Sequence, residues 1–274
     1  MPISTAEKRA QFRRLHEADC FVIPNPWDLG SARYLQHLGF QALATSSAGF
    51  AWTKGRPDNG VTCEEVLAHL TEIAGGVDVP VNADFEGGFA VDPAAVGANV
   101  ARAVATGIAG LSIEDSTGNP DDPLFDLSLA VDRIRAARAA IDRVDPAVIL
   151  VGRSEGFIAG RPDLAETIRR LQAYAEAGAD CLFAPGLRTP EEVAVVVKAV
   201  APKPVNFVGG SPVFTVASLA ALGVRRISVG GVLARAAWGE FMRVATEIAE
   251  TGAFAGVSRA VQSTELNSLF SQWA

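Results

Sequence analysis

The 274-residue sequence predicts an α/β protein, a single (β/α)8 barrel of the TIM type. Eight short apolar runs recur along it, each bounded by Gly, Pro or Asn, and helix patterns separate them. The repeat, about thirty residues per unit, is that of a strand plus the crossover helix a parallel neighbour requires. The length suits either two small domains or one barrel of about 250 residues. A doubly wound open sheet is the competing arrangement, disfavoured because no Gly-x-Gly-x-x-Gly follows the first run. No linker-like or low-complexity stretch interrupts the pattern, so one domain is expected over 1–274, with 252–274 as a helical extension.

The predicted strands are Phe21–Ile23, Ala42–Ser46, Val79–Asp84, Gly110–Glu114, Val148–Gly152, Cys181–Ala184, Pro204–Val208 and Arg226–Val229. They are continuously apolar rather than alternating, as expected for strands covered on both faces. The helix patterns are Trp27–Leu38, Cys63–Ala74, Pro93–Thr106, Leu127–Ile141, Asp163–Ala177, Pro190–Ala199 and Val213–Leu222. Thr62, with Glu65 three residues on, forms a capping box. Gly39, Gly107, Gly178 and Gly223 follow helices at the position where a left-handed residue without Cβ ends them cheaply. Two helices close the chain, Val232–Thr251 and Ser258–Ala274. The second gathers Val261, Leu266, Leu269, Phe270 and Trp273 at roughly helical spacing. Eight helices already close a barrel, so this tail either covers a barrel end or packs on another subunit.

Composition excludes several classes. A chain 49% hydrophobic and 20% charged is not disordered, and Gly and Pro without a strict period exclude collagen-like chains. With 31 acidic against 24 basic residues and a net charge of −7, a nucleic-acid partner is not expected. No apolar run is long enough to span a bilayer, and Met1–Arg9 lacks the apolar core of a signal peptide. Cys20, Cys63 and Cys181 form no Cys-x-x-Cys pair and share no ligand spacing with the three His. Neither a disulfide framework nor a zinc site is expected, and a reducing cytoplasm is the simplest location.

In such a barrel the chemistry sits at the carboxyl ends of the strands. Those ends read Ser46-Ser47-Ala48-Gly49-Phe50 (followed by Arg56-Pro57-Asp58), Asn82-Ala83-Asp84-Phe85-Glu86, Glu114-Asp115-Ser116, Arg153-Ser154-Glu155 and Asn206. Asp58, Asp84, Glu86, Glu114 and Asp115 are thereby expected around one mouth. Carboxylates so close repel, so their pKa values rise or a cation lies among them. Oxygen donors without His or Cys suit Mg2+ or Mn2+. Such an ion completes its shell with substrate oxygens, and a 2-oxo acid or its enolate fits that habit.

Plainer roles compete with these. Acids at strand ends also cap the following helices; Asp115 alone reads as a structural acceptor, and Asp92 and Asp163 as helix starts. Arg153 follows an apolar strand and either pairs with the acids or grips a substrate carboxylate with its fork. Asn206 contacts substrate or closes a turn. Ser46 and Ser47 lie in a small-residue loop whose N–H groups offer a cradle for an oxyanion. Thr117–Pro123 is long and polar enough for a lid. His16, His37 and His69 read as non-catalytic, and Cys63, though it opens a helix, has no His partner.

Pro24-Asn25-Pro26-Trp27-Asp28, Thr45-Ser46-Ser47, Arg56-Pro57-Asp58, Ala83-Asp84-Phe85-Glu86-Gly87-Gly88-Phe89, Ser112-Ile113-Glu114-Asp115 and Gly152-Arg153-Ser154 together resemble the isocitrate lyase/phosphoenolpyruvate mutase superfamily. The resemblance runs from about Phe21 to about Ser228. It implies a (β/α)8 barrel, Mg2+ or Mn2+, substrates passing through a 2-oxo acid or its enolate, and a last barrel helix exchanged between paired subunits, commonly in a homotetramer. It also implies metal-shell roles for Asp84 and Glu114, a nearby acid in Asp58, and substrate contacts from Arg153, Asn206, Ser46 and Ser47. Three departures stand out. The superfamily's strand motif has two Asp separated by one residue, whereas Asn82 stands first here and Glu86 follows Asp84. The Lys-x-Cys-Gly-His stretch of the isocitrate and methylisocitrate lyases, which carries their general acid, is replaced by Ser116–Leu124. The lyases' later Glu is absent from Leu182–Gly186.

The resulting expectation is a Mg2+-dependent lyase that breaks a C–C bond of a small 2-oxo or 2-hydroxy acid through a metal-stabilised enolate. Asp84, Glu86 and Glu114 hold the metal, Arg153, Asn206, Ser46, Ser47 and Asp84 border the substrate, and Asp58, Arg153 and Glu114 are the catalytic candidates. Decarboxylation needs less acid help than a retro-aldol cleavage. Two alternatives remain: C–P chemistry, as in phosphonopyruvate hydrolase or phosphoenolpyruvate mutase with Asn119 steadying the phosphoryl group, and a non-enzymatic 2-oxo acid sensor.

Overall fold

The computed structural model describes residues 3–17 and 19–273. Met1 and Pro2 of the start and Ala274 of the expected tail helix lie outside them. Eight strands, β1 (Phe21–Ile23), β2 (Leu43–Ala44), β3 (Val81–Asp84), β4 (Gly110–Glu114), β5 (Ile149–Arg153), β6 (Cys181–Phe183), β7 (Val205–Val208) and β8 (Arg226–Ser228), lie in the order β1-β8-β7-β6-β5-β4-β3-β2. Every paired neighbour is parallel. At the seam between β1 and β2 the Ala44 N–H donates to the Pro24 carbonyl at 3.0 Å. Asn25 stitches the same seam: its Nδ2 donates to the Thr45 carbonyl at 2.9 Å, and its Oδ1 accepts from the Val229 and Gly230 N–H groups. The result is a nearly closed (β/α)8 barrel.

Each strand is covered on both faces, and its residues alternate between them. Ile149, Val151, Cys181 and Phe183 point inward and pack with Ile23, Ala42, Ala44 and Ala109. Leu111, Ile113, Leu150, Leu182, Val205, Phe207 and Ile227 point outward, under the helices. This alternation sends Asn82, Asp84, Glu114, Arg153, Asn206, Arg226 and Ser228 to the inside.

The helices are α1 (Thr5–Glu17), α2 (Leu29–His37), α3 (Ser47–Thr53), α4 (Cys63–Gly76), α5 (Pro93–Ala105), α6 (Leu127–Val144), α7 (Leu164–Glu176), α8 (Pro190–Val200), α9 (Val216–Ala221), α10 (Val232–Thr251) and α11 (Ser263–Phe270). The Thr62–Glu65 capping box forms, and Asp92 and Asp163 cap α5 and α7. Helix α2 starts later than expected, because Asp28 is its N-cap, and α9 is shorter than the pattern over 213–222.

Helix α1 was not anticipated. It plugs the amino-terminal end of the barrel: Phe12 is fully buried in the inner cluster. The Arg9 guanidinium donates to the carbonyls of Ile108 (3.0 Å) and Val104 (2.7 Å). A Cβ on Gly110, the first residue of β4, would stand 2.7 Å from the Phe12 ring, so glycine lets the plug seat. With that end sealed, the carboxyl end is left for chemistry.

The tail also differs from a single helix over 258–274. It runs as a 3-10 turn (Ala255–Arg259), α11 and a second 3-10 turn (Ser271–Trp273). It folds onto its own chain's α2, with Phe270 beside Gly30 and Arg33 over the Trp273 ring at 5.6 Å. The helix left without cover is α10: Ala234 is its one buried residue among those described, and Phe241 and Met242 are 61% and 59% exposed. No helix among the described residues is long and apolar enough to cross a membrane.

Phe12→Ala should destabilise the barrel by about 3–5 kcal/mol, as for other fully buried aromatic truncations. Urea unfolding checks this; a loss below ~1 kcal/mol would show that the plug is peripheral.

Candidate active site

The carboxyl end of the barrel opens into a cavity of about 410 Å3. Among its lining residues are Ser46, Ser47, Asp58, Asp84, Arg153 and Asn206, so six of the predicted site residues share one space. Glu86 and Glu114 do not line it. They border an adjoining groove of about 500 Å3 with Arg133 and Phe125. The acids therefore stand on two sides of a partition rather than around one mouth, because the β3 loop turns back there. Glu86 takes a left-handed φ of +48°, which non-glycine residues rarely adopt, and its carbonyl accepts from the Glu114 N–H at 3.1 Å.

Arg153 is the partition. Its Nη1 lies 3.3 Å from Asp84 Oδ1 and 3.2 Å from Glu114 Oε2. Its Nε donates to Glu155 Oε1 and its Nη2 to Glu155 Oε2 at 3.1 Å. One cation thus serves three carboxylates, and its own pKa is driven further up by Glu155, Glu114 and Asp84 against the burial that lowers it. Glu155, whose side chain is 6% exposed, was present in the sequence motif but was not assigned a part.

The electrostatic deficit falls on the remaining acids. Burial, then Asp84 and Asp58, push Glu86 up to about 8. Burial likewise raises Glu114, with Glu155 and Asp84 adding to it and Arg153 opposing. Asp84 is better served. Its Oδ2 accepts the Ser47 N–H at 3.0 Å, and its own N–H donates to Thr45 Oγ1 at 2.9 Å. Here the expected loop is corrected: Ser46 is the N-cap of α3, accepting from the Gly49 N–H, and Ser47 opens the helix, whose amino end faces an acid. Asp58 is exposed on the rim.

Asp115 has the structural role expected of it. Buried at 2% exposure, it accepts from Tyr174 Oη (2.6 Å), Arg170 Nη1 (3.1 Å) and the Glu155 N–H (2.8 Å). It pins the segment that carries Arg153 and Glu155. Asn119 lies on an exposed loop, and its Oδ1 accepts the Asp121 N–H at 3.1 Å. It does not line the cavity.

No set of three His, Cys, Asp or Glu side chains among the described residues is arranged to hold a metal ion alone. The chemistry of the donors nevertheless fits a hard cation. The acid wall offers only oxygens, and Glu86 Oε1 is buried without a hydrogen-bond partner among the described residues. Mg2+ commonly keeps several waters, so not every carboxylate need touch it.

The phosphoenolpyruvate phosphomutase family model matches residues 12–249. The chain belongs to the isocitrate lyase/phosphoenolpyruvate mutase superfamily. A crystal structure of a candidate lyase/mutase from Burkholderia cenocepacia superposes with a TM-score of 0.95 at 44% identity, covering 97% of both chains. An uncharacterised protein of Mycobacterium tuberculosis is 33% identical over 218 residues, 79% of this chain and 80% of that one. Phosphonopyruvate hydrolase, solved with oxalate and Mg2+, matches with a TM-score of 0.86 at 28% identity over 97% of this chain and 95% of that one. The superfamily's C–C and C–P lyases and mutases include methylisocitrate lyase and enzymes acting on oxaloacetate.

The raised acids give a pH signature. Between their ordinary pKa and about 8, folded superfamily member holds protons on Glu86 and Glu114 that the unfolded chain has lost. Stability therefore falls as pH rises through that window. Burial lowers His16 to about 3 and His69 to about 4, which tilts the curve the other way below pH ~6.5. The clean interval is pH ~6.5–8, where the metal-free protein should lose about 1–3 kcal/mol. Urea midpoints in EDTA check it: Glu114→Gln should flatten the slope, and a slope equal to wild type would refute the assignment.

Proposed function

We propose that the chain is a Mg2+-dependent lyase that cleaves a C–C bond of a small 2-oxo or 2-hydroxy carboxylic acid through an enolate. One observation carries this reading: a single cavity unites Asp84, Asp58, Arg153, the Ser46–Ser47 helix start and Asn206. Two carboxylates, Asp58 and Asp84, and a guanidinium around one cavity suit a chelated anionic ligand better than a neutral one. Support comes also from the likeness to phosphonopyruvate hydrolase in its complex with oxalate and Mg2+.

Asp84, Glu86 and Glu114 would hold the metal and its waters. When bound, Mg2+ supplies polarisation of the carbonyl and a counter-charge for the oxygen that becomes negative. Arg153 grips a carboxylate oxygen while staying anchored by Glu155, and so keeps its orientation as the acids change partners. Ser46 and Ser47 border the oxo-acid end, and Asn206 faces it from across the barrel. Asp58, on the rim, is placed to order water. The cavity is open enough to admit that water, which suits a decarboxylation or hydrolytic cleavage in which water protonates the enolate. The C–P alternative gains no support, because Asn119 is turned into its own loop.

The assembly we propose is a homo-oligomer in which α10 packs on a second subunit. Its bare apolar residues, Trp238, Phe241, Met242 and Ile248, call for cover. Light scattering should give a multiple of 28.6 kDa, and a monomeric mass would exclude the exchange. For the site, Asp84→Ala should abolish Mg2+-dependent oxalate binding in calorimetry; unchanged affinity would overturn the metal assignment. Oxalate binding without turnover of any 2-oxo acid, followed by mass spectrometry, would leave a sensor rather than an enzyme.

A further inference from the structure

Two buried side chains join the ends of the barrel. His16, in the last turn of α1, borders a cavity of about 610 Å3 at the amino-terminal end. Arg226 opens β8 and lines the cavity at the carboxyl end. Its Nη1 lies 3.5 Å from His16 Nε2 and donates to Asn82 Oδ1 at 3.2 Å, and its Nε donates to Asn206 Oδ1 at 2.8 Å. Among the described residues these side-chain partners are two amide oxygens and a ring nitrogen. None of them carries a negative charge, so the cation stays unspent.

A guanidinium has hydrogens to give and no lone pair with which to receive one. Whatever meets it must accept, and the His16 ring does so in one tautomer only. Nδ1 lies 2.8 Å from the Phe12 carbonyl one turn back, so it carries the proton and donates there. Nε2 keeps its lone pair toward Arg226. Burial, and then Arg226 itself, lower the ring's pKa to about 3, so the ring is neutral wherever the cavity's acids are ionised. Phe12 and Phe21 meet it edge to face, with centroids 4.6 and 5.2 Å away, and fix its plane. The plug therefore does more than seal the barrel: it supports the cavity's cation from below. We propose that His16 is a positioning residue, which as the Nδ1–H tautomer holds the Arg226 guanidinium in place beneath an anion bound in the carboxyl-end cavity. The anion rests on the oxo-acid reading above; the contact between ring and guanidinium does not.

Nitrogen-15 histidine labelling of the full chain tests this without a variant that loosens the plug. The sequence holds three histidines, His16, His37 and His69, and the signal lost in His16→Gln identifies the first. At neutral pH its Nδ1 should be protonated and its Nε2 bare, and Arg226→Met should displace the Nε2 resonance. Saturating wild type with Mg2+ and oxalate should shift the His16 signals and leave those of His37, on α2, unmoved. In calorimetry His16→Leu should bind oxalate with Mg2+ about three- to tenfold more weakly, the size of one lost hydrogen bond. His16→Gln, which can present an oxygen where Nε2 stood, should recover most of that affinity. The opposite tautomer, or oxalate that saturates wild type without moving the His16 signals, overturns the proposal and leaves the oxo-acid reading standing. Oxalate binding by His16→Leu equal to wild type does the same. If wild type binds no oxalate, the oxo-acid reading fails and the positioning role falls with it.

Discussion

Everything at the mouth of this barrel is arranged around one guanidinium serving three carboxylates. Arg153 touches Asp84, Glu114 and Glu155 at once. Buried ions carry a large desolvation cost that is repaid only when partners are close and hydrogen-bonded. A single cation cannot repay it for three anions plus Glu86, which is why protons remain on the poorest-served acids. The surplus negative charge is a stored preference for a further cation. It also explains the scaffolding behind it. Asp115 is held by Tyr174 and Arg170 and in turn holds the Glu155 amide, so the chain leaving β5 keeps Arg153 in place when the acids exchange partners.

What the sequence made legible follows from how burial marks it. Strands covered on both faces are continuously apolar, and all eight were found, β1 and β4 with the expected bounds and the rest with ends shifted by one or two residues. Caps such as Thr62–Glu65 were legible because their chemistry is local. Helix α1 was not, because much of its hold on the barrel is polar: Arg9 and Lys8 reach backbone carbonyls with buried stems, and only Phe12 and Leu15 carry its apolar contact with the inner cluster. Helix α3 was read as a loop because small residues mask its pattern, although Ser46 was a legible N-cap. Among site residues, Asp84, Arg153 and Asn206 stood at strand ends where an inward side chain is dictated by alternation. Glu86 and Glu114 were expected around one mouth with Asp58 and Asp84 and border an adjoining groove instead, since a left-handed turn at Glu86 has no signature in a non-glycine residue. Glu155 was missed because its partner is two residues away across a strand end, a contact no periodicity encodes.

The departure at Asn82 acquires a reason from Arg226. The superfamily pattern places an Asp there. In this chain that position lies 3.2 Å from a nitrogen of Arg226. An Asp would pair with Arg226 and neutralise it. Asn accepts the same hydrogen bond and leaves the cation unspent. Glu86, just beyond Asp84 and Phe85, does not return that charge to the cavity: it borders the adjoining groove, and burial with Asp84 and Asp58 beside it pushes its pKa up to about 8. Arg226 thus remains a cation in a cavity whose lining also carries Asp58 and Asp84. Separation of charge across the cavity creates a field along which an anionic ligand can lie with one end on a cation and the other on hydrogen donors. A pocket polarised in that way discriminates by the length and charge of what spans it, rather than by the shape of its walls.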